Sequence, residues 1–293
     1  MTCAHGNPPR LSTHPTRAIP AAACLVLALA LPLAAQGTRD GELEKVGRQL
    51  PDSFRVERTG CFIVAGDLGA EAFQQIKEHT VAASAVSLHK MFFTKRPTHT
   101  IAIYLFNGEA SYRKWAKKLF DEEPTTPYGY FTPSERRMVM NIRTGGGTLV
   151  HEMVHALMRV DFPNVPTWFD EGLASLFEQC RHRPDGTLEG LINWRYRGLM
   201  EAIRANRLGG LKALVRLSDS EFRGANEGMN YAQARYFCQY LQDRKLLRKF
   251  YRAFRDRYDE DPTGETFLVE LLGKDLSKVD AEWLSWVKGL KQR

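Results

Sequence analysis

The stretch that decides the fold is His151-Glu152-Met153-Val154-His155, followed sixteen residues later by Glu171 within Thr167-Trp168-Phe169-Asp170-Glu171-Gly172-Leu173-Ala174. Residues four apart in an α-helix are displaced by only about 40° around the axis, so His151 and His155 can point two imidazoles at one ion. Glu152 sits beside them, within reach of a water on that ion. Leu149, Val150, Met153, Val154, Leu157 and Met158 fall together on one helical stripe. The pattern predicts an apolar back docked on the core and a polar front, carrying both histidines and Glu152, open to solvent. Two imidazoles with an adjacent carboxylate on one helix face are the beginnings of a catalytic zinc site.

Catalytic zinc takes three protein ligands and keeps one position open. If the first helix runs to about Val160, the segment Asp161-Phe162-Pro163-Asn164-Val165-Pro166 cannot continue it, because two prolines remove donors and restrict the residues before them. Thr167 with Asp170 three residues on predicts an N-terminal capping box and a second helix from Trp168. An antiparallel hairpin then brings Glu171 level with His155. Asp161, six residues after His155, is the rival third ligand. The position where a helix-breaking glycine would swing it back toward the ion is Met158, which favours Glu171.

The pair of motifs resembles the gluzincin metallopeptidases, especially their small peptidase MA-like members, in which His-Glu-x-x-His is followed by Trp-Phe-x-Glu-Gly-Leu-Ala. M1-type aminopeptidases carry a similar Asn-Glu-Gly-Phe-Ala segment. The resemblance spans roughly Phe54 to Lys291 and is specific only at the two motifs. It implies His151, His155 and Glu171 as zinc ligands, Glu152 as general base, one Zn2+ per chain, and a peptide or protein substrate. It also points to Asn230-Tyr231-Ala232-Gln233, sixty residues after Glu171, because related enzymes place an oxyanion-stabilising tyrosine at a comparable distance. Asn230 with Gln233 reads as a cap that puts Tyr231 at the first helical position, better placed than Tyr236 or Tyr240 further along. Asp170 and Ser175 are candidate partners for the ligand histidines. The glycine-rich glutamate motif and large N-terminal β-domain of the M1-type enzymes are absent, so aminopeptidase specificity does not transfer.

The N-terminus bears on location. A polar start with Arg10 and Arg17 precedes an apolar core from Ala18 to Ala35, and no acidic residue occurs before Asp40. This predicts a secretory signal peptide over residues 1–35, cleaved near Ala35, and a secreted or periplasmic protein. Left uncleaved, the segment would be a membrane anchor interrupted by Pro20 and Pro32. Removing Arg10 and Arg17 leaves 39 basic and 34 acidic residues, a net of +5. The basic run from Arg244 to Arg257 holds Leu246, Leu247, Phe250, Tyr251 and Phe254 at helical spacing. It therefore reads as the solvated face of a buried helix, with no recognisable nucleic-acid module beside it. Cys61, Cys180 and Cys238 remain after cleavage, enough for at most one intramolecular disulfide.

Residues 36–53 read as a linker and 54–293 as one zincin-like catalytic domain. Residues 54–65 predict one or two strands, Ala70 to Phe92 a helical stretch, and His99 to Phe106 a strand. A helix near Glu109 to Leu119 follows, then a hairpin of Tyr128–Phe131 and Arg137–Ile142. From Thr148 onward the pattern is mainly helical. The fold class is α+β: a small mixed sheet, then a helical lobe, with the zinc helix between them. The resemblance places Arg137–Ile142 at the sheet edge, where an extended substrate would pair through its main chain. The function classes that fit are an exported zinc peptidase, a zinc hydrolase of another amide or ester, and a non-catalytic binding module on a peptidase scaffold. The intact Glu152 weighs against the last.

Overall fold

The computed structural model describes residues 33–291, so the expected signal segment, apart from its last three residues, lies outside the described residues. A helix, α1 (Leu33–Arg48), fills most of the stretch expected as a linker. Prolines at 32 and 51 bracket it and none interrupts it, while Gly37, Gly41 and Gly47 lend the segment its linker-like composition. Val46, Leu50 and Phe54 pack against one face of the sheet, so the end of this segment belongs to the fold.

Five strands form one mixed sheet: β1 (Arg55–Thr59), β2 (Phe62–Gly66), β3 (Ile101–Phe106), β4 (Gly129–Thr132) and β5 (Arg137–Asn141). Their spatial order is β1-β2-β3-β5-β4, with β2, β3 and β5 parallel and the outer strands antiparallel to their neighbours. Side chains alternate across the sheet as a period of two requires. Ile101, Ile103, Leu105, Met138 and Met140 enter the main core, whereas Tyr104, Phe106 and Val139 enter a smaller one. α4 (Glu109–Phe120) closes that smaller core with Tyr112 and Ala116.

The long helical stretch after β2 is α2 (Ala70–Gln75), a π-helical turn at Ile76–Ala82, and α3 (Ala83–Met91). α5 (Gly147–Asp161) and α6 (Thr167–Leu176) carry the two motifs and lead into the helical lobe. A short hairpin, β6 (Cys180–His182) with β7 (Leu188–Gly190), follows; three-residue strands leave little periodicity to read. The lobe continues through α7 (Arg195–Arg204), α8 (Leu211–Val215), α9 (Asp219–Phe222), α10 (Glu227–Asp243), α11 (Leu247–Asp256), α12 (Glu265–Leu272) and α13 (Leu276–Gly289). The molecule is thus α+β, with the mixed sheet preceding the helical lobe. In α11 the apolar residues Leu247, Phe250, Tyr251 and Phe254 are all buried, which accounts for the basic run as a solvated face.

The hairpin departs from expectation in one functionally relevant way. β5 lies inside the sheet, hydrogen-bonded to β3 on one side and β4 on the other, so β4 is the edge strand at this end and β1 the one at the other. β5, with its Met-Val-Met run buried on both faces, takes the interior place next to β3. The arm before the turn is left outside. Among the described residues no helix is long and apolar enough to cross a membrane.

Candidate metal centre

α5 is buried nearly all round. His151 and His155 are each 8% exposed, and Glu152 is the half-buried residue of their turn that lines the adjoining cleft. The open polar front expected from the helical wheel is covered, because α6 lies against it. On its other side α6 packs closely on α10: a side-chain carbon added at Gly172 would sit 3.0 Å from both the Ala234 carbonyl oxygen and the Cys238 sulfur of α10.

α6 begins without the expected capping box. Pro166 occupies the cap position in extended conformation, and no side chain caps the helix. The Thr167 hydroxyl instead donates to Asp219 Oδ1 at 2.7 Å, and Asp170 Oδ1 lies 2.7 Å from His155 Nδ1. Proline at the cap preorganises the turn, which releases both polar side chains for longer-range partners.

Glu171, in the second turn of α6, brings Oε2 to 3.4 Å from Nε2 of both His151 and His155, and those two nitrogens are 2.9 Å apart. The three donor atoms lie within 4.8 Å of one another and form a group that could hold a metal ion. A tetrahedral zinc with bonds of about 2.0–2.1 Å separates its ligand atoms by about 3.3 Å, close to the two 3.4 Å spacings here. Glu171 Oε2 is buried and has no hydrogen-bond partner. A buried anionic oxygen needs a cation beside it, which the two imidazoles provide when protonated and a metal ion would provide when they are neutral ligands. The residues therefore fit a metal ion on geometry, donor chemistry and electrostatics.

A carboxylate lies beside the other ring nitrogen of each histidine: Asp170 Oδ1 is hydrogen-bonded to His155 Nδ1, whereas Glu178 Oε1 lies 3.2 Å from His151 Nδ1 at ion-pair distance but without hydrogen-bond geometry. Such partners orient a ligand ring and raise its basicity. Burial opposes protonation of His151, but Glu171 and Glu178 outweigh it and lift its pKa to about 9. Burial opposes protonation of His155 too, and Asp170 with Glu171 raises it well above the ordinary range. Glu171 loses solvation by burial, yet the two imidazoles hold its carboxyl far below the usual value. Burial pushes Glu152 upward, against the pull of both histidines, which makes it a better proton acceptor than a solvated glutamate.

Asp161, the rival ligand, points elsewhere. Its Oδ1 accepts from the Thr94 and Lys95 amides and the Thr94 hydroxyl, and its Oδ2 accepts from Tyr251 and Arg255. It is a structural hub joining α5, α11 and the segment after α3. Ser175 is buried with no partner for its hydroxyl, so the histidine partners are Asp170 and Glu178.

Tyr231 lies in α10, but as its fifth residue, because the helix starts at Glu227. Asn230 does not cap it; its amide donates to the Phe222 carbonyl, and the Gln233 amide donates to the Gly209 carbonyl. Tyr231 nevertheless lines the cleft, and its hydroxyl accepts a bond from Arg223 at 3.1 Å. Tyr236 and Tyr240 are buried; the hydroxyl of Tyr236 engages Asn193 and that of Tyr240 Glu282. The cleft measures about 1000 Å³ and runs from Tyr128 and Gly129 at the sheet edge, past His151 and Glu152, to Tyr231.

Two residues escaped the sequence reading. Glu178 lies two residues beyond the end of α6, where helical spacing no longer places a side chain. Arg223, whose Nη2 donates to Glu171 Oε1 at 2.8 Å, is 52 residues away with no spacing rule to link it. No protein-family model matches this chain, and no curated protein matches it either.

Proposed function

We propose that this chain is an exported zinc metallopeptidase of the gluzincin type with a zincin-like catalytic fold, and that Glu152 is its general base. The observation that carries the reading is the convergence of His151, His155 and Glu171 on one point, with Glu152 at the wall of a cleft large enough for several peptide residues. Bound zinc would supply Lewis acidity, polarising a carbonyl and lowering the pKa of a water from about 16 toward 7.

The chain's own residues account for the rest. Glu152 takes a proton from the attacking water and passes it to the leaving amine. Asp170 holds the Nδ1 side of His155 by a hydrogen bond, and Glu178 places a carboxylate 3.2 Å from His151 Nδ1, so both Nε2 atoms face Glu171 Oε2. Tyr231, at the cleft wall with its oxygen held by Arg223, is the candidate donor to the developing oxyanion. β4, the edge strand, offers main-chain groups to an extended peptide across the cleft, a mode that binds many sequences with little side-chain selectivity. The N-terminal apolar segment supports a secreted or periplasmic location.

The test is hydrolysis of mixed peptide libraries by the purified mature chain, with and without a chelator. The expected result is cleavage that the chelator abolishes and added zinc restores. A chain that holds stoichiometric zinc yet cleaves no peptide would move the proposal to hydrolysis of another amide or ester.

A further inference from the structure

Arg223, immediately after α9, reaches the site with all three of its nitrogens engaged. Nη2 donates to Glu171 Oε1 at 2.8 Å, Nη1 to the Tyr231 hydroxyl oxygen at 3.1 Å, and Nε to Asp219 Oδ1 at 3.0 Å. Asp219 Oδ1 also accepts from the Thr167 hydroxyl at 2.7 Å, so the start of α6 helps to fix the arginine that grips Glu171. Because the guanidinium is planar and rigid, fixing Nε on Asp219 also sets the directions of both Nη groups.

Only one oxygen of Glu171 meets Arg223. Oε1 is taken, and Oε2, buried and without a hydrogen-bond partner, faces the Nε2 atoms of both histidines at 3.4 Å. The terminal torsion of a glutamate is broad and two-fold, so a fixed donor on Oε1 helps to decide which oxygen is presented to the histidines. We propose that Arg223 is a positioning residue that makes Glu171 a one-oxygen metal ligand and ties the orientation of that ligand to Tyr231. The inference rests on the zinc reading of the site. Lysine cannot substitute fully, since its single nitrogen carries no rigid fork to span Asp219, Glu171 and Tyr231. Arg195 approaches from the other side, 5.1 Å from the Tyr231 ring centre and paired with Glu178, and leaves Glu171 alone.

The experiment measures zinc affinity by competition with a chromophoric chelator at fixed pH, on the intact parent chain and on Arg223→Gln, Arg223→Lys and Asp219→Asn. Arg223→Gln is expected to weaken zinc by about 10- to 100-fold, the usual scale for losing a partner of a metal ligand. Arg223→Lys and Asp219→Asn should fall between parent and Arg223→Gln. Thermal unfolding checks that each variant folds. The Asp219 side chain is 68% exposed, so its substitution keeps the question open should Arg223→Gln fail to fold. Unchanged zinc affinity, within about twofold, in folded Arg223→Gln or, failing that variant, in Asp219→Asn overturns the inference while leaving the zinc site standing. A parent chain that takes up no zinc removes the site reading itself, and the inference falls with it. On a cleaved peptide, Tyr231→Phe should cost less kcat in the Arg223→Gln background than in the parent. Equal costs in the two backgrounds would sever the proposed tie to Tyr231.

Discussion

Asp161 and Glu171 are both buried carboxylates near the end of α5, and exchanging each for its amide should produce opposite failures. In Asp161→Asn one of the two acceptor oxygens becomes an NH2 group. Oδ1 serves three donors and Oδ2 serves two, so whichever way the amide turns, at least two donors face another donor. Hydrogen bonds to a charged group contribute about 1.5–3 kcal/mol each, and breaking a buried ion pair by removing one partner costs about 3–5 kcal/mol. We expect a loss of about 3–5 kcal/mol, or a fall in Tm on the order of 10 °C for a chain of this length, with zinc stoichiometry unchanged wherever the variant is folded. Glu171→Gln should keep most of its stability yet release zinc on dialysis, because it removes the charge that faces both imidazoles. The assay pairs thermal unfolding of the metal-stripped chain with metal analysis after dialysis. Folded Asp161→Asn that sheds zinc, beside Glu171→Gln that retains it, would refute the assignment of the third ligand. Acid provides a second readout. Burial disfavours the Asp161 carboxylate, but the Lys95 amide, Arg255, Tyr251 and Thr94 outweigh it and hold its pKa at about 2. Because the folded value lies below the ordinary one of 3.8, its contribution is complete above that value and is lost as pH falls toward 2. The Asn variant should lack that part of the acid-induced loss.

Glu152→Gln should bind zinc and fold like the parent while peptide turnover drops by a factor on the order of 100 or more; near-normal turnover would remove Glu152 from the mechanism. Tyr231→Phe should lower kcat by about 10- to 1,000-fold with zinc affinity preserved, and comparison with Tyr236→Phe and Tyr240→Phe, whose hydroxyls bond within the lobe, isolates the oxyanion role. Asp170→Asn and Glu178→Gln should each weaken zinc by about 10- to 100-fold in the competition assay, and an unaffected Glu178 variant would mean that His151 is oriented by its helix alone.

Much of this architecture was legible in local chemistry, and the misreadings share a cause. The helix carrying both histidines, the turn at Pro163 and Pro166, the strands of the sheet and the buried face of α11 follow from periodicity and from proline, both properties of neighbouring residues. The placement of Glu171 was legible for the same reason, since a short connection between two helices constrains where the second one starts. What failed was the choice among partners that a local rule cannot rank. Thr167 and Asp170 form a plausible capping pair, but Pro166 already sets the turn, and each side chain gains more from a distant group: Asp219 for one, His155 for the other. Asn230 and Gln233 likewise bond to the preceding loops instead of capping α10. The hairpin strands predicted their own pairing, yet which arm joins β3 depends on the rest of the sheet, and the more completely buried β5 takes the interior position. Arg223 marks the limit. It reaches the site only because α9 and α10 fold back over α6, so the residue that grips Glu171 Oε1 is set by tertiary packing, whereas the candidate ligands are set by helical spacing and the short α5–α6 turn. A candidate ligand set can thus be read from a motif, but the hydrogen bonds that orient its side chains belong to the folded lobe.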